Sequence, residues 1–83
     1  MNRFMANIRL EGLDMDTRMK LLPAEQEGVK VLEEKGVLLH SFIKLDMSGI
    51  FMVMVANDEE DFHNQISFLP YYPYMKIELV AIR

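Results

Sequence analysis

The last stretch of the chain, LPYYPYMKIELVAI (Leu69–Ile82), decides how the rest of the sequence can fold. Pro70 and Pro73 bracket a tyrosine pair, and each proline fixes its own φ and pushes the preceding residue toward an extended conformation. From Tyr74 to Ile82 the sequence has the two-residue period of a β-strand. We therefore predict a stiff aromatic loop that leads into a long terminal strand. One face of this strand carries Met75, Ile77, Leu79 and Ala81, and the other carries Lys76, Glu78, Val80 and Ile82.

Composition indicates one small globular domain that spans residues 1–83, because 51% of the residues are hydrophobic and 27% are charged. The absence of cysteine excludes disulfides and thiolate metal ligands, and it favours a reducing, cytoplasmic location. The sequence starts without the apolar run of a signal peptide, and no stretch has the ~20 apolar residues of a membrane span. The net charge of −4 and the scattered lysines and arginines argue against nucleic-acid binding.

Two helices and three more strands are predicted upstream of the aromatic loop from the spacing of apolar residues. The first helix contains Pro23, which removes a backbone hydrogen bond, so this helix is either kinked there or begins afresh near Leu22. The acidic run Asp58–Asp61 is interpreted as the first turn of the second helix, where the helix dipole favours negative charge, and not as a metal site. The predicted strands are Arg3–Leu10, Val37–Leu45 and Ile50–Ala56, and the predicted helices run from about Asp16 to Lys35 and from a cap at Asn57 or Asp58 to about Phe68.

The predicted order β-α-β-β-α-β is that of the ferredoxin-like α+β unit, a four-stranded antiparallel sheet with both helices on one face. In a monomer the other face of such a sheet is normally polar. Ile50–Ala56 is nevertheless apolar at all seven positions, and Val80 and Ile82 add apolar groups to the second face of the last strand. Soluble monomers avoid so large an exposed apolar patch. We therefore predict a homodimer in which two sheets pack face to face.

Glu25 is the main candidate for acid–base chemistry. Counted from Glu25, the residues Val29, Leu32 and Gly36 follow at i+4, i+7 and i+11, which places them on one stripe of a helix. Glu25 is thereby expected on the helix face that meets the sheet. Loss of hydration there would raise its pKa and suit it to proton transfer near neutral pH. The alternative is an acid in the first turn of a helix, whose carboxylate reaches solvent or a backbone N–H.

His40 lies in the middle of the predicted strand Val37–Leu45, and alternation places it with Leu38, Phe42 and Lys44 on one face. A lone histidine is more often a hydrogen-bonded structural residue than a catalyst. A cation beside Phe42 would nevertheless suit an anionic ligand, so His40 and Lys44 are candidates for substrate binding. His63 follows the acidic turn and is expected to be solvated.

Three tyrosines, Tyr71, Tyr72 and Tyr74, fall within a window of four residues. They either line a pocket with their hydroxyl groups inside or cover the end of the core and an oligomer contact. The sequence contains no Ser-His-Asp set, phosphate-binding loop, dinucleotide motif or paired-histidine metal spacing. We therefore expect neither a cofactor nor a metal.

The segment Leu69–Glu78 resembles the LP-aromatic-aromatic-PYM-x-IE segment of the muconolactone isomerase family. Glu25 is similar to a glutamate in the first helix of that family, with the same spacing to a glycine, here Gly36. The family's second strand carries a basic, tryptophan-containing stretch where this sequence reads HSFIK (40–44), and the family has a tail after its last strand.

This resemblance implies a dimeric α+β barrel, assembly of dimers into a higher oligomer, and a proton-shifting isomerase acting on a small unsaturated lactone acid in aromatic catabolism. Glu25 would be the proton carrier, and Lys44 or His40 would hold the substrate carboxylate or the developing enolate. The tyrosines at 71, 72 and 74 would shape the pocket. The alternative is a non-catalytic small-molecule-binding or oligomerisation module, since one fold serves many functions.

Overall fold

Four strands and two helices follow one another in the predicted βαββαβ order in the computed structural model, which describes residues 1–83. All neighbouring strands are antiparallel, and the order across the sheet is β2-β3-β1-β4. The predicted ferredoxin-like α+β fold is thus confirmed. No helix is long and apolar enough to cross a membrane. The elements are β1 (Asn2–Leu10), α1 (Met15–Glu34), β2 (Leu38–Ile43), β3 (Gly49–Ala56), α2 (Glu59–Ile66) and β4 (Met75–Ile82).

Both helices begin at aspartate caps. The side chain of Asp14 accepts a hydrogen bond of 2.8 Å from the backbone N–H of Thr17, and α1 then continues through Pro23 as a single helix. It therefore does not begin afresh near Leu22. At the start of α2, the side chain of Asp58 accepts a hydrogen bond of 2.8 Å from the backbone N–H of Asp61. The acidic run is therefore the helix start that the sequence predicted.

The core lies between the sheet and the two helices, and strand register determines which residues enter it. Phe4 pairs with Met54 and Ala6 with Met52, so alternate residues of β1 and β3 face the helices together. These positions are almost fully buried. The core consists of Phe4, Ala6, Ile8, Leu32, Leu38, Met52, Met54, Ala56, Phe62, Ile66 and Leu69.

The second strand is shorter than predicted, and its alternation is interrupted. The pairing of β2 with β3 shifts between Leu38 and His40, which leaves Leu39 as an extra residue. Leu38 consequently faces the helices in the core, whereas His40 and Phe42 face the opposite way. The prediction that Leu38 and His40 share a face was therefore wrong, because one extra residue reverses every later side chain.

The aromatic loop before β4, predicted as a stiff loop, contains a single 3-10 turn, Tyr72–Tyr74. The N–H of Tyr72 donates to the carbonyl of Leu69 at 2.9 Å, and the N–H of Tyr74 donates to the carbonyl of Tyr71 at 2.9 Å. Pro73 suits the start of such a turn because its missing N–H would have no partner there. We refer to residues Leu69–Tyr74 below as the aromatic turn.

Candidate active site

Glu25 is buried against the aromatic turn. It lies in the middle of α1 with 7% of its surface exposed, on the helix face that meets the sheet. Its Oε1 atom accepts a hydrogen bond of 2.9 Å from the backbone N–H of Tyr71, which is 46 residues away in sequence. Glu25 is thus a buried carboxylate whose backbone partner comes from another part of the chain rather than from its own first turn.

Burial sets the protonation behaviour of Glu25. Loss of hydration raises the pKa of its carboxyl group above the ordinary value, and the Tyr71 N–H opposes this shift by stabilising the charged form. The second carboxylate oxygen, Oε2, accepts no hydrogen bond within the chain and is not fully enclosed. One oxygen is therefore oriented by the backbone while the other remains available to exchange a proton.

Close packing between α1 and the aromatic turn fixes the position of Tyr71. A Cβ atom at Gly28 would lie 2.6 Å from Cδ2 of Leu69, so any larger residue there would require the Leu69 side chain to move. The phenol of Tyr71 donates a hydrogen bond of 2.8 Å to the backbone carbonyl of Arg18. Burial raises the pKa of this phenol, so that Tyr71 stays protonated and donates at neutral pH.

Tyr72 connects the same turn to α2. Nδ1 of His63 lies 2.8 Å from the Tyr72 hydroxyl, and the two rings meet edge to face. His63 is half-buried, so the expectation that it is solvated was wrong; the aromatic turn folds back over it. Tyr74 is also half-buried, and its hydroxyl makes no hydrogen bond within the chain.

The other two predicted site residues, His40 and Lys44, lie on the far side of the sheet. His40 stacks on Phe42 with ring centroids 6.3 Å apart, and Nζ of Lys44 lies 5.1 Å from the centre of the Phe51 ring. These side chains are on the face that the helices do not cover, called the open face below. Within one chain the structure therefore does not bring them to Glu25.

One further polar residue on the Glu25 stripe of α1 was not singled out from the sequence. Arg18 precedes Glu25 by seven residues, a spacing that places both on one helix stripe, and this signal was readable in the sequence. Its guanidinium donates a hydrogen bond of 2.9 Å to the carbonyl of Met47 in the β2–β3 turn. The partner of His63, in contrast, depends on the tertiary position of the aromatic turn, which no local spacing reveals. No three histidine or acidic side chains are grouped as a metal site.

Comparison with known proteins supports the family resemblance. A comparison with curated proteins gave no match. Among solved structures, the chain is similar to the crystal structure of muconolactone isomerase at 3.3 Å resolution, with a TM-score of 0.78 and 22% sequence identity over 96% of this chain and 86% of that chain. This similarity confirms the fold. A family model described as muconolactone delta-isomerase matches residues 3–83. Because that match covers nearly the whole sequence, the chain belongs to the muconolactone delta-isomerase family, as its residues 69–78 predicted.

Proposed function

We propose that this protein is a muconolactone isomerase-like enzyme that moves a proton within a small unsaturated lactone acid. The observation that carries the proposal is the buried Glu25 carboxylate, which has one oxygen on the Tyr71 N–H and the other unpaired. An acid with a raised pKa is suited to give and take protons near neutral pH. A non-catalytic binding module has no comparable need for a desolvated acid, and the family membership favours the enzyme.

Glu25 would act as both base and acid in a 1,3-proton shift. Its Oε2 atom removes a proton from a ring carbon activated by the lactone carbonyl, and the electron pair moves through the double bond onto the carbonyl oxygen as a dienolate. The same carboxyl group then returns the proton to the carbon two positions away, so the double bond migrates and the atomic composition is unchanged. The Tyr71 N–H holds Oε1 throughout and thereby orients Oε2 toward the substrate.

The test is to incubate the purified protein in D₂O with small unsaturated lactones that carry a carboxylate. NMR should detect double-bond migration. Deuterium enters at the carbon that receives the proton when the Glu25 carboxyl group exchanges with solvent before it returns a proton. Glu25→Gln should lose this activity while Glu27→Gln, an exposed substitution on the same helix, retains it. If the parent protein binds these lactones but turns none of them over, the binding-module alternative replaces the enzyme.

Arg18 is our proposed partner for the substrate carboxylate on this side of the sheet. It lies on the same helix stripe as Glu25, and the Met47 carbonyl engages one of the five N–H donors of its guanidinium. Arg18→Gln should raise KM with little change in kcat, the pattern of an interaction made equally in ground and transition states. Tyr71, Tyr72 and Tyr74 are proposed to shape the pocket around the reacting ring.

His40 and Lys44 are proposed to line the space between two subunits rather than the Glu25 pocket. A homodimer is supported by the open face, where Phe42 is 60% exposed beside apolar Phe51 and Val53. The Oδ1 atom of Asn7, on the same face, is buried without a donor in its own chain. A second sheet packed here would cover the apolar side chains and offer such a donor. Light scattering at micromolar concentration tests this, and a 9.7 kDa species would contradict it.

A further inference from the structure

We propose that His63 and Tyr72 form a positioning pair. The pair holds the aromatic turn in place so that the Tyr71 N–H remains hydrogen-bonded to Glu25. Neither residue need touch the reacting atoms in this role. The inference rests on the proposed function of Glu25 and deepens it, because it identifies what keeps the proton carrier oriented. Three connected features of the structure support it.

The first feature is that two consecutive phenols attach the turn to two different helices. The hydroxyl of Tyr71 donates to the carbonyl of Arg18 in α1 at 2.8 Å. The hydroxyl of Tyr72 lies 2.8 Å from Nδ1 of His63 in α2. The turn therefore bridges the helices, and each phenol supplies one of its two side-chain attachments.

The second feature is that a displacement of Tyr72 is transmitted directly to Glu25. The carbonyl of Tyr71 and the N–H of Tyr72 belong to one planar peptide group, so neither moves alone. The turn is closed on both sides of this peptide by 2.9 Å hydrogen bonds, from Tyr72 N–H to the Leu69 carbonyl and from Tyr74 N–H to the Tyr71 carbonyl. The Tyr71 N–H on Glu25 Oε1 lies in the same short segment.

The third feature is that His63 is a firm anchor. Its neighbour Phe62 is fully buried in the core, and the two rings lie edge to face with centroids 5.7 Å apart. The Tyr72 ring meets the imidazole from another direction at 6.0 Å and 75°. When Nε2 carries the ring proton, Nδ1 accepts a hydrogen bond from the Tyr72 hydroxyl, and this bond orients the imidazole ring.

Removal of this attachment should loosen the turn and leave the rest of the fold in place. Tyr72→Phe deletes only the hydroxyl, so the turn loses its hydrogen bond to α2 and keeps the two hydrogen bonds from Tyr71 to α1. Glu25 would gain water and lose orientation. Because a misplacement of about 1 Å can cost ~10²-fold in rate, we expect kcat to fall roughly 10- to 10²-fold with little change in KM.

The decisive measurement is an NMR titration of ¹³C-labelled Glu25, which needs no substrate. Burial is the larger cause of its raised pKa, so a looser turn should lower that pKa toward the ordinary value. Tyr72→Phe and His63→Leu should both produce this shift. His63→Asn should restore the parent behaviour, because its amide oxygen can accept the phenol proton near the place of Nδ1. Asn64→Leu is the matched control for His63→Leu, since it is an exposed substitution on the same helix.

The results separate this inference from the proposed function. If the pKa of Glu25 is the same in Tyr72→Phe as in the parent, or shifts equally in Asn64→Leu, the positioning pair is refuted. If the shift is confined to Tyr72→Phe and His63→Leu and is reversed in His63→Asn, the pair is confirmed. A confirmed shift in a protein that turns over no lactone would overturn the enzyme proposal alone.

Discussion

Both faces of the sheet carry apolar side chains, but the two faces differ in what covers them. On one face, α1, α2 and the aromatic turn enclose residues such as Met52 and Met54. On the other, Phe51 and Val53 of the same strand have no layer above them within the chain. In the homodimer proposed above, the sheet of a second chain would cover this side of the strand. The open face is informative because the fold of a single chain does not explain its composition.

The candidate site residues are also divided between the two faces of the sheet. The covered side holds Glu25 with the backbone of Tyr71, in a buried setting that raises the pKa of the carboxyl group. The open side holds His40, which stacks on the Phe42 ring, and Lys44, whose ammonium group lies over the Phe51 ring. The sheet separates the two groups, so a ligand bound to one group in a single chain does not reach the other. The predictions below test how far this separation holds.

The largest effect should come from a charge placed on the covered face. Met54→Lys puts an ammonium group into the core, where Met54 is 0% exposed. A buried unpaired charge belongs to the small class of substitutions that cost about 4–5 kcal/mol. We expect the free energy of unfolding, measured by urea denaturation, to fall by that amount or the protein to be unfolded outright.

Val53→Lys is the matched substitution one residue earlier, on the open face. Val53 is buried only by its neighbours in the sheet, and a lysine there can extend its ammonium group across the face into water. We expect a folded chain that no longer dimerises, as seen by circular dichroism and sedimentation. Equal unfolding of both variants in their monomeric state would show that the two faces do not differ in the way described here.

The fold was predictable because each element has a local signal. Alternation in the terminal strand, the glycine after α1 and the acidic start of α2 all act within a few residues of chain. Two local details were not predictable from such patterns. The extra residue at Leu39 reverses which side chains of β2 face the helices, and the 3-10 turn at Tyr72–Tyr74 satisfies backbone groups that extended loop residues would leave unpaired.

The site was only partly predictable, for a physical reason. The stripe through Glu25, Val29 and Leu32 indicated that the carboxyl group faces the sheet, since helix geometry alone sets that direction. Its hydrogen-bond partner comes from Tyr71, and the partner of His63 from Tyr72. Both contacts depend on how the aromatic turn packs between the helices, which is a property of the folded chain.

Glu25→Gln tests the chemistry assigned to the covered side. The amide oxygen of glutamine can still accept the hydrogen bond from the Tyr71 N–H, so the fold and the ligand affinity should persist. The amide cannot carry a proton between two carbons. Since general acid–base catalysis contributes ~10²–10⁴-fold, kcat should fall by about that factor in a steady-state assay. A decrease below about tenfold would remove Glu25 from the role of proton carrier.

The pH dependence of stability should also reveal Glu25. Burial raises its pKa above the ordinary value of 4.5, so the folded state holds this proton more tightly than the unfolded chain does. The parent protein should therefore lose stability relative to Glu25→Gln as pH rises above 4.5, until Glu25 is ionised in the folded state as well. Beyond that pH the difference should be constant.

Urea denaturation of both proteins across this range measures the effect, and subtraction removes the contribution of every other titrating group. Asp14 and Asp46, whose pKa values are lowered by hydrogen bonds from Thr17 and Ser48, change stability in the opposite direction but equally in both proteins. If the parent instead loses stability relative to Glu25→Gln as pH falls, the folded state favours the ionised Glu25 carboxylate.

Lys44→Ala should have the smallest effect, and it addresses the separation of the two faces most directly. The ammonium group lies 5.1 Å above the centre of the Phe51 ring, a cation–π contact worth about 0.5–1 kcal/mol at an exposed site. We expect the free energy of unfolding to decrease by no more than this, and KM to stay unchanged, because the sheet lies between Lys44 and Glu25. Lys44→Arg keeps the charge over the ring and is the matched control. If KM instead rises in Lys44→Ala and recovers in Lys44→Arg, the substrate contacts the open face as well, and a second subunit must bring that face to a Glu25 pocket.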